Sequence, residues 1–239
     1  MRRFLFCLGF LLSLTATVQA ADFSKWAVLV VSGDNHAHSG APSAVFDNAR
    51  HDLVAAFTRM GFAPANIAQF AVSPDPAAQR SGPAAIANTL WDLSNRAPDG
   101  CLIYFTSHGT PDGIVIDQGV LDPDKLGKIV GNACGAKPSV IVVSSCYSGQ
   151  FVPTLAGDNR VVLTAARPDR TSFGCGEADQ YTFFDDCFLR ALPLSGDFSM
   201  LGDLTRQCVA VREQQMRATP PSEPQLSIGR NVGPAFRWK

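Results

Sequence analysis

Cys101-Leu-Ile-Tyr-Phe-Thr-Ser-His-Gly109 and Val140-Ile-Val-Val-Ser-Ser-Cys-Tyr-Ser-Gly149 decide how this chain is read. Each is an apolar run of strand length, rich in β-branched and aromatic residues, that stops abruptly in polar residues and a glycine. A run without polar alternation belongs to a strand covered on both faces, the environment of a parallel sheet between two helical layers. One run ends in His108 and the other in Cys146.

Working outward, residues 26–32 form a third such run, closed by Gly33. Val45, Ala49, Leu53, Ala56, Phe57 and Met60 then recur at three and four, which predicts a helix stopped by Gly61. Residues 67–72 read as a strand, 73–83 as a proline-rich loop and 84–95 as a helix. A hairpin over 113–120 and a short helix over 123–129 separate the two deciding strands. Beyond them come a strand at 160–164, an irregular segment through Gly176, helices near 182–192 and 200–215, and a short last strand at 225–228. Strands alternating with helices predict an α/β fold with a mostly parallel sheet.

The chain has 239 residues, 46% hydrophobic and 17% charged, which supplies a full core and excludes a disordered tail or a disulfide-only miniprotein. Twenty Lys and Arg stand against 21 Asp and Glu, so no surplus of positive charge nominates nucleic acid or anionic lipid as a partner. Residues 1–20 read as a secretory signal: Arg2 and Arg3 lead, 4–17 are mostly apolar, and Val18-Gln-Ala20 offers small residues for cleavage. The mature chain, residues 21–239, is expected to be a single domain with a formal charge of −3, periplasmic or secreted and free of the membrane. Its six remaining cysteines would sit where disulfides persist. No C-x-x-C pair occurs, so zinc is not indicated, and no residue cluster suggests another metal or an organic cofactor.

In an open parallel sheet, ligands bind outside the carboxyl ends of the strands. If the strands ending in His108 and Cys146 are neighbours, about 4.8 Å apart, the two side chains converge on one cleft. Sulfur attacks as thiolate, and an imidazole beside it can protonate a leaving amine. Gly109 leaves a backbone N–H open to a developing oxyanion, and the Cys146 amide could add a second. The residues by themselves also permit a buried structural cysteine beside a turn histidine.

Ile103-Tyr-Phe-Thr-Ser-His-Gly109, Ser144-Ser-Cys-Tyr-Ser-Gly149 and Leu163-Thr-Ala-Ala-Arg-Pro-Asp-Arg-Thr-Ser172 resemble, in order and spacing, the landmarks of the legumain-type (C13) cysteine peptidases of the caspase-like clan. The resemblance implies a caspase/hemoglobinase-like three-layer sandwich with sheet order 2-1-3-4-5-6 and an antiparallel last strand. It implies a cysteine endopeptidase with a Cys146 and His108 dyad that passes through an acyl-enzyme, acting on a peptide or protein substrate. The histidine in this clan serves the leaving group, so a Cys-His ion pair is not assumed. Carried over by motif, the substrate-binding places fall on Ser144, Ser172 and Asp186.

The chain also departs from legumains. Their pocket for Asn uses an Arg-His pair after the first strand and a Glu two before the nucleophile; here those places hold Val45-Phe46 and Ser144. Arg50-His51 would restore the pair only with a deletion inside the helix. An uncompensated Asp186 facing the cleft would favour a basic side chain at P1 instead. Ser107 replaces the Asp beside the histidine, so ligase activity is not carried over. His36 or His38 could orient His108. The 150–160 loop is too short for a processing linker, so activity without proteolytic maturation is expected. The fold resemblance also places Cys101 and Cys134 at the amino-end face of the sheet, as the first disulfide pair, with Cys175, Cys187 and Cys208 competing for a second. The alternative function is a catalytically inactive peptide-binding module of the same fold.

Overall fold

A computed structural model describes residues 20–239; the signal reading of 1–20 lies almost wholly outside them. Ten strands, β1 (Trp26–Ser32), β2 (Ile67–Ala71), β3 (Gln79–Arg80), β4 (Gly100–Thr106), β5 (Gly109–Thr110), β6 (Gly113–Ile116), β7 (Gly119–Leu121), β8 (Ser139–Ser144), β9 (Arg160–Thr164) and β10 (Gln225–Ile228), form two sheets. Six α-helices accompany them: α1 (Val45–Arg59), α2 (Pro83–Arg96), α3 (Pro123–Cys134), α4 (Val152–Leu155), α5 (Phe183–Ala191) and α6 (Phe198–Met216).

The main sheet runs β3-β2-β1-β4-β8-β9-β10, parallel throughout except for β10, which is antiparallel to β9. Counting only the strands the sequence foretold, this is the expected 2-1-3-4-5-6 order. The correction is β3, a two-residue edge strand inside the stretch read as loop. β5, β6 and β7 form a small antiparallel sheet beyond the end of β4.

The continuous apolar runs are explained by a core on each face. Val28, Val30, Leu102, Tyr104, Val140 and Val142 point to the layer of α1, α5 and α6. Their neighbours Leu29, Val31, Ile103, Phe105, Ile141 and Val143 point to the layer of α2 and α3. Alternate residues thus go to opposite faces, and both faces are dry. All seven residues of β1 and of β4 are buried, each large side chain contributing about 1.5–3 kcal/mol relative to exposure.

The helices follow the same arithmetic. Val45, Phe46, Ala49, Leu53, Ala56 and Phe57 are the buried stripe of α1, and Gly61, at φ +101°, turns the chain back toward the sheet. Helix α3 begins with an Asp122 cap on the Lys125 N–H (2.9 Å) and continues past the expected end at 129 to Cys134, since Val130, Ala133 and Cys134 extend its buried stripe despite Gly127 and Gly131. Disulfides join Cys101 to Cys134, the expected pair, and Cys187 to Cys208.

Phe23, Trp26, Phe62, Phe198, Phe236 and Trp238 pack edge-on and stacked at the amino-end pole of the sheet. There the Ala21 N–H donates to the Arg237 carbonyl at 2.8 Å. No described helix is long and apolar enough to cross a membrane.

Candidate active site

β4 and β8 are hydrogen-bonded neighbours with Thr106 opposite Ser144, and the pairing continues one step further, the Ser107 N–H donating to the Ser144 carbonyl at 3.1 Å. His108 and Cys146 therefore leave two adjacent strands at the same level and on the same face. The two loops are pressed together at Gly109, where a Cβ would overlap the Cys146 carbonyl oxygen and crowd Ser145 Oγ. Only glycine permits this approach.

The sulfur of Cys146 is held by one residue. The Ser172 N–H donates to Sγ at 3.3 Å, and Ser172 Oγ and O lie at 3.6 and 3.7 Å. Among the described residues none of its hydrogen-bond partners is on His108. Tyr147 follows in the left-handed region at φ 57°, and its N–H donates to the Arg170 carbonyl at 2.8 Å, clamping the turn after Cys146 to the segment that carries Ser172. A non-glycine residue in this region is a local strain of about 1–3 kcal/mol, sustained by such clamps. The Cys146 N–H makes no hydrogen bond among the described residues.

His108 is oriented from behind. Its Nε2 donates to the His36 backbone carbonyl at 3.1 Å, and its ring packs edge-on against Phe46 at 5.0 Å. Nδ1 is then the nitrogen free for chemistry. The sequence nominated the side chain of His36 or His38 for this task, whereas a main-chain oxygen performs it; the His36 imidazole bonds Asp34 at 2.8 Å.

Of the three substrate-binding candidates the structure brings Ser172 to the sulfur and gives the other two no hydrogen bond with it. Ser144 is 1% exposed, under the cleft floor, with Oγ 3.4 Å from Thr182 Oγ1. Asp186 is compensated: it pairs with Arg212, and with Arg190 at 3.8 Å, on the outer side of α5. It lines a cavity of about 690 Å³ with Asp52, Arg59, Tyr181, Arg190 and Lys239, none of which belongs to the dyad cleft. Arg50-His51 does not restore the legumain pair either. Arg50 is fully buried, bonded to Asp47 (2.8 Å), Gln69 and Asp75, and ties α1 to β2 and the loop after it. Asp47, His51 and Asp75 gather ligand atoms within 4.8 Å of one another, but the guanidinium already occupies the centre of that group, so they do not fit a cation.

What the sequence missed is Asp185, the residue before the one chosen. It is fully buried at the start of α5 and bonded by Tyr104 OH at 2.8 Å and Thr106 Oγ1 at 2.6 Å. Burial pushes its carboxyl above the ordinary carboxylate value, against the pull of hydrogen bonds from Thr106, Tyr104, Ser144 and Thr182. Cys175, the other free cysteine, is pushed up to about 11, first by burial and then by the neighbouring Cys146 and Asp179.

The comparisons agree with this geometry. No curated protein matches the sequence. Among solved structures, caspase-1 from Spodoptera frugiperda superposes with a TM-score of 0.64 over 91% of this chain and 92% of that one, at 13% identity, a likeness of fold. The model of the peptidase C13 family matches residues 81–212, a span that contains His108, Cys146 and Ser172 and takes in more than half of the sequence. The fold is caspase-like, and the chain belongs to the peptidase C13 family.

Proposed function

We propose that this protein is an exported cysteine endopeptidase working through Cys146 and His108. The observation that carries the reading is the placement of the two side chains on adjoining strand ends, with the sulfur receiving an N–H from Ser172 and the imidazole fixed by the His36 carbonyl. With Nε2 held as donor, Nδ1 takes the thiol proton as Sγ attacks the peptide carbonyl. The oxyanion that forms meets the N–H groups of Gly109 and Cys146. Nδ1 then gives the proton to the departing amine, leaving a thioester on Cys146. Water, deprotonated by the same nitrogen, resolves the thioester to acid and free thiol.

Selection at P1 falls to the Ser172 segment and the facing 34–43 loop. The His38 N–H donates to the Cys175 carbonyl at 2.9 Å, and Ser39 Oγ to Glu177 at 2.5 Å, closing one wall. Family resemblance favours Asn, although the residues that serve Asn in legumains are absent or displaced here. Export rests on the signal-like character of residues 1–20.

The test is cleavage of a fluorogenic peptide panel varying only P1 (Asn, Asp, Arg, Lys, Ala), by the chain from Ala21 and by its Cys146→Ala variant. Turnover that the variant lacks establishes the peptidase and names its P1. Silence across the panel from folded protein, together with binding of the same peptides, makes the chain a binding module instead.

A further inference from the structure

We infer that Asp185 is a positioning residue for the dyad: its buried carboxyl, bonded to the end of β4 and joined through the Thr182 cap of its helix to the end of β8, sets the separation of His108 and Cys146. The inference rests on the dyad reading and concerns a residue outside the cleft.

Strand geometry carries the argument. Side chains two apart share a face, so Tyr104, Thr106 and His108 form one row and Ser144 and Cys146 the next. Asp185 Oδ1 and Oδ2 accept from Tyr104 and Thr106, and the hydroxyl of Thr182, three residues earlier, lies 3.4 Å from Ser144 Oγ. The carboxyl therefore grips the residue two before the histidine, while the Thr182 cap of the same helix meets the residue two before the cysteine. That end of the helix is itself rigid, because the Asp185 N–H donates to Thr182 Oγ1 (3.0 Å), the cap of α5, while the Cys187–Cys208 disulfide fastens the same helix to α6. All of its bonded partners are hydroxyls and none is a cation. A buried carboxylate without a cation destabilises the fold, and a neutral acid in its place would hold the strands less specifically. Its place beneath the two reacting groups fits a positioning task better than a stabilising one.

The experiment uses Asp185→Asn, which keeps shape and one acceptor, and Thr106→Val, which removes one donor and leaves the carboxyl. Each is compared with wild type in kcat and KM on the best panel peptide, and in the rate of Cys146 alkylation by iodoacetamide followed by peptide mass mapping. Cys175 in the same molecule reports any general loosening. The expected result for Asp185→Asn is a kcat lowered on the order of 10- to 100-fold with KM within about threefold, the scale of a small misplacement of reacting groups. Cys146 alkylation is expected to change by at least about fivefold while Cys175 labelling stays put, and Thr106→Val should show a smaller effect in the same direction. Two results overturn the inference: both variants keeping kcat and Cys146 alkylation within about twofold of wild type, or Cys175 labelling rising in step with Cys146. If wild type shows no turnover, the alkylation arm decides alone. Failure of the dyad reading looks different: Cys146→Ala retains turnover, or His108→Ala leaves Cys146 alkylation unchanged.

Discussion

His36 serves His108 through its backbone: the carbonyl accepts from Nε2 at 3.1 Å while the His36 imidazole turns to Asp34 at 2.8 Å. Asp34 Oδ1 also accepts the N–H groups of Asn35 (2.7 Å) and His36 (3.0 Å), so one carboxylate shapes the turn that presents the carbonyl. His36→Ala, which keeps the main chain, should retain kcat within about threefold, whereas Asp34→Ala should lower it on the order of tenfold or more through a looser imidazole. Steady-state kinetics of the two variants checks this, and equal losses would count against a main-chain role.

Gly109→Ala tests the close approach of the two loops. The added methyl meets the Cys146 carbonyl oxygen, so the strands' ends must part, destabilising the protein by about 1–3 kcal/mol. Activity should fall further than stability, on the order of 10²-fold. Urea unfolding and kcat/KM, measured on the same preparation, separate the two effects.

The Cys175 thiol, held up to about 11 by burial and by its neighbours, is thiolate only to the order of 10⁻³ to 10⁻⁴ near pH 7.5. Labelling with a thiol reagent at that pH should mark Cys146 alone, and Cys175 should join only as the pH passes about 10. Mass mapping of labelled peptides across pH shows the order.

Asp185 gives stability an unusual pH dependence. Its folded form holds the proton more tightly than the unfolded chain, whose ordinary value is 3.8. Its contribution is therefore whole below that value and lost as pH rises through the folded one. Asp75, Asp122 and Asp158 are lowered, chiefly by hydrogen bonds to Ala77, Lys125 and Arg230 respectively, and act with the opposite sign. They are common to wild type and Asp185→Asn and cancel in the comparison. The variant should gain on wild type in Tm as the pH rises above about 4, and a Tm difference that ignores pH would contradict the assignment.

Asp186→Asn should leave the P1 preference unchanged and cost at most about 1 kcal/mol, the worth of partly exposed ion pairs. A shifted P1 profile on the panel would return Asp186 to the pocket.

The central strands were legible because both faces of β1, β4 and β8 are buried, which leaves an unbroken apolar signature. β3 was not: two residues, Gln79 and Arg80, cannot carry a period. The length of α3 was masked by Gly127 and Gly131, which weaken helix propensity but lie where close packing or open space tolerates them. Cys146 and His108 were legible as motif residues just past strand ends, and Ser172 as the close of the third motif, in the irregular segment after β9. Asp185 was not legible because adjacent helical residues differ by about 100° in direction, and only the cap at Thr182 fixes that it, rather than Asp186, faces the sheet. The His36 carbonyl left no trace in the sequence, since every residue has one.

The pairing of Ala21 with Arg237 brings these two segments together on the aromatic pole under the strands' amino ends. His108 and Cys146 open at the other pole. A carrier attached to a surface residue of the aromatic pole would thus hold the molecule with His108 and Cys146 facing outward.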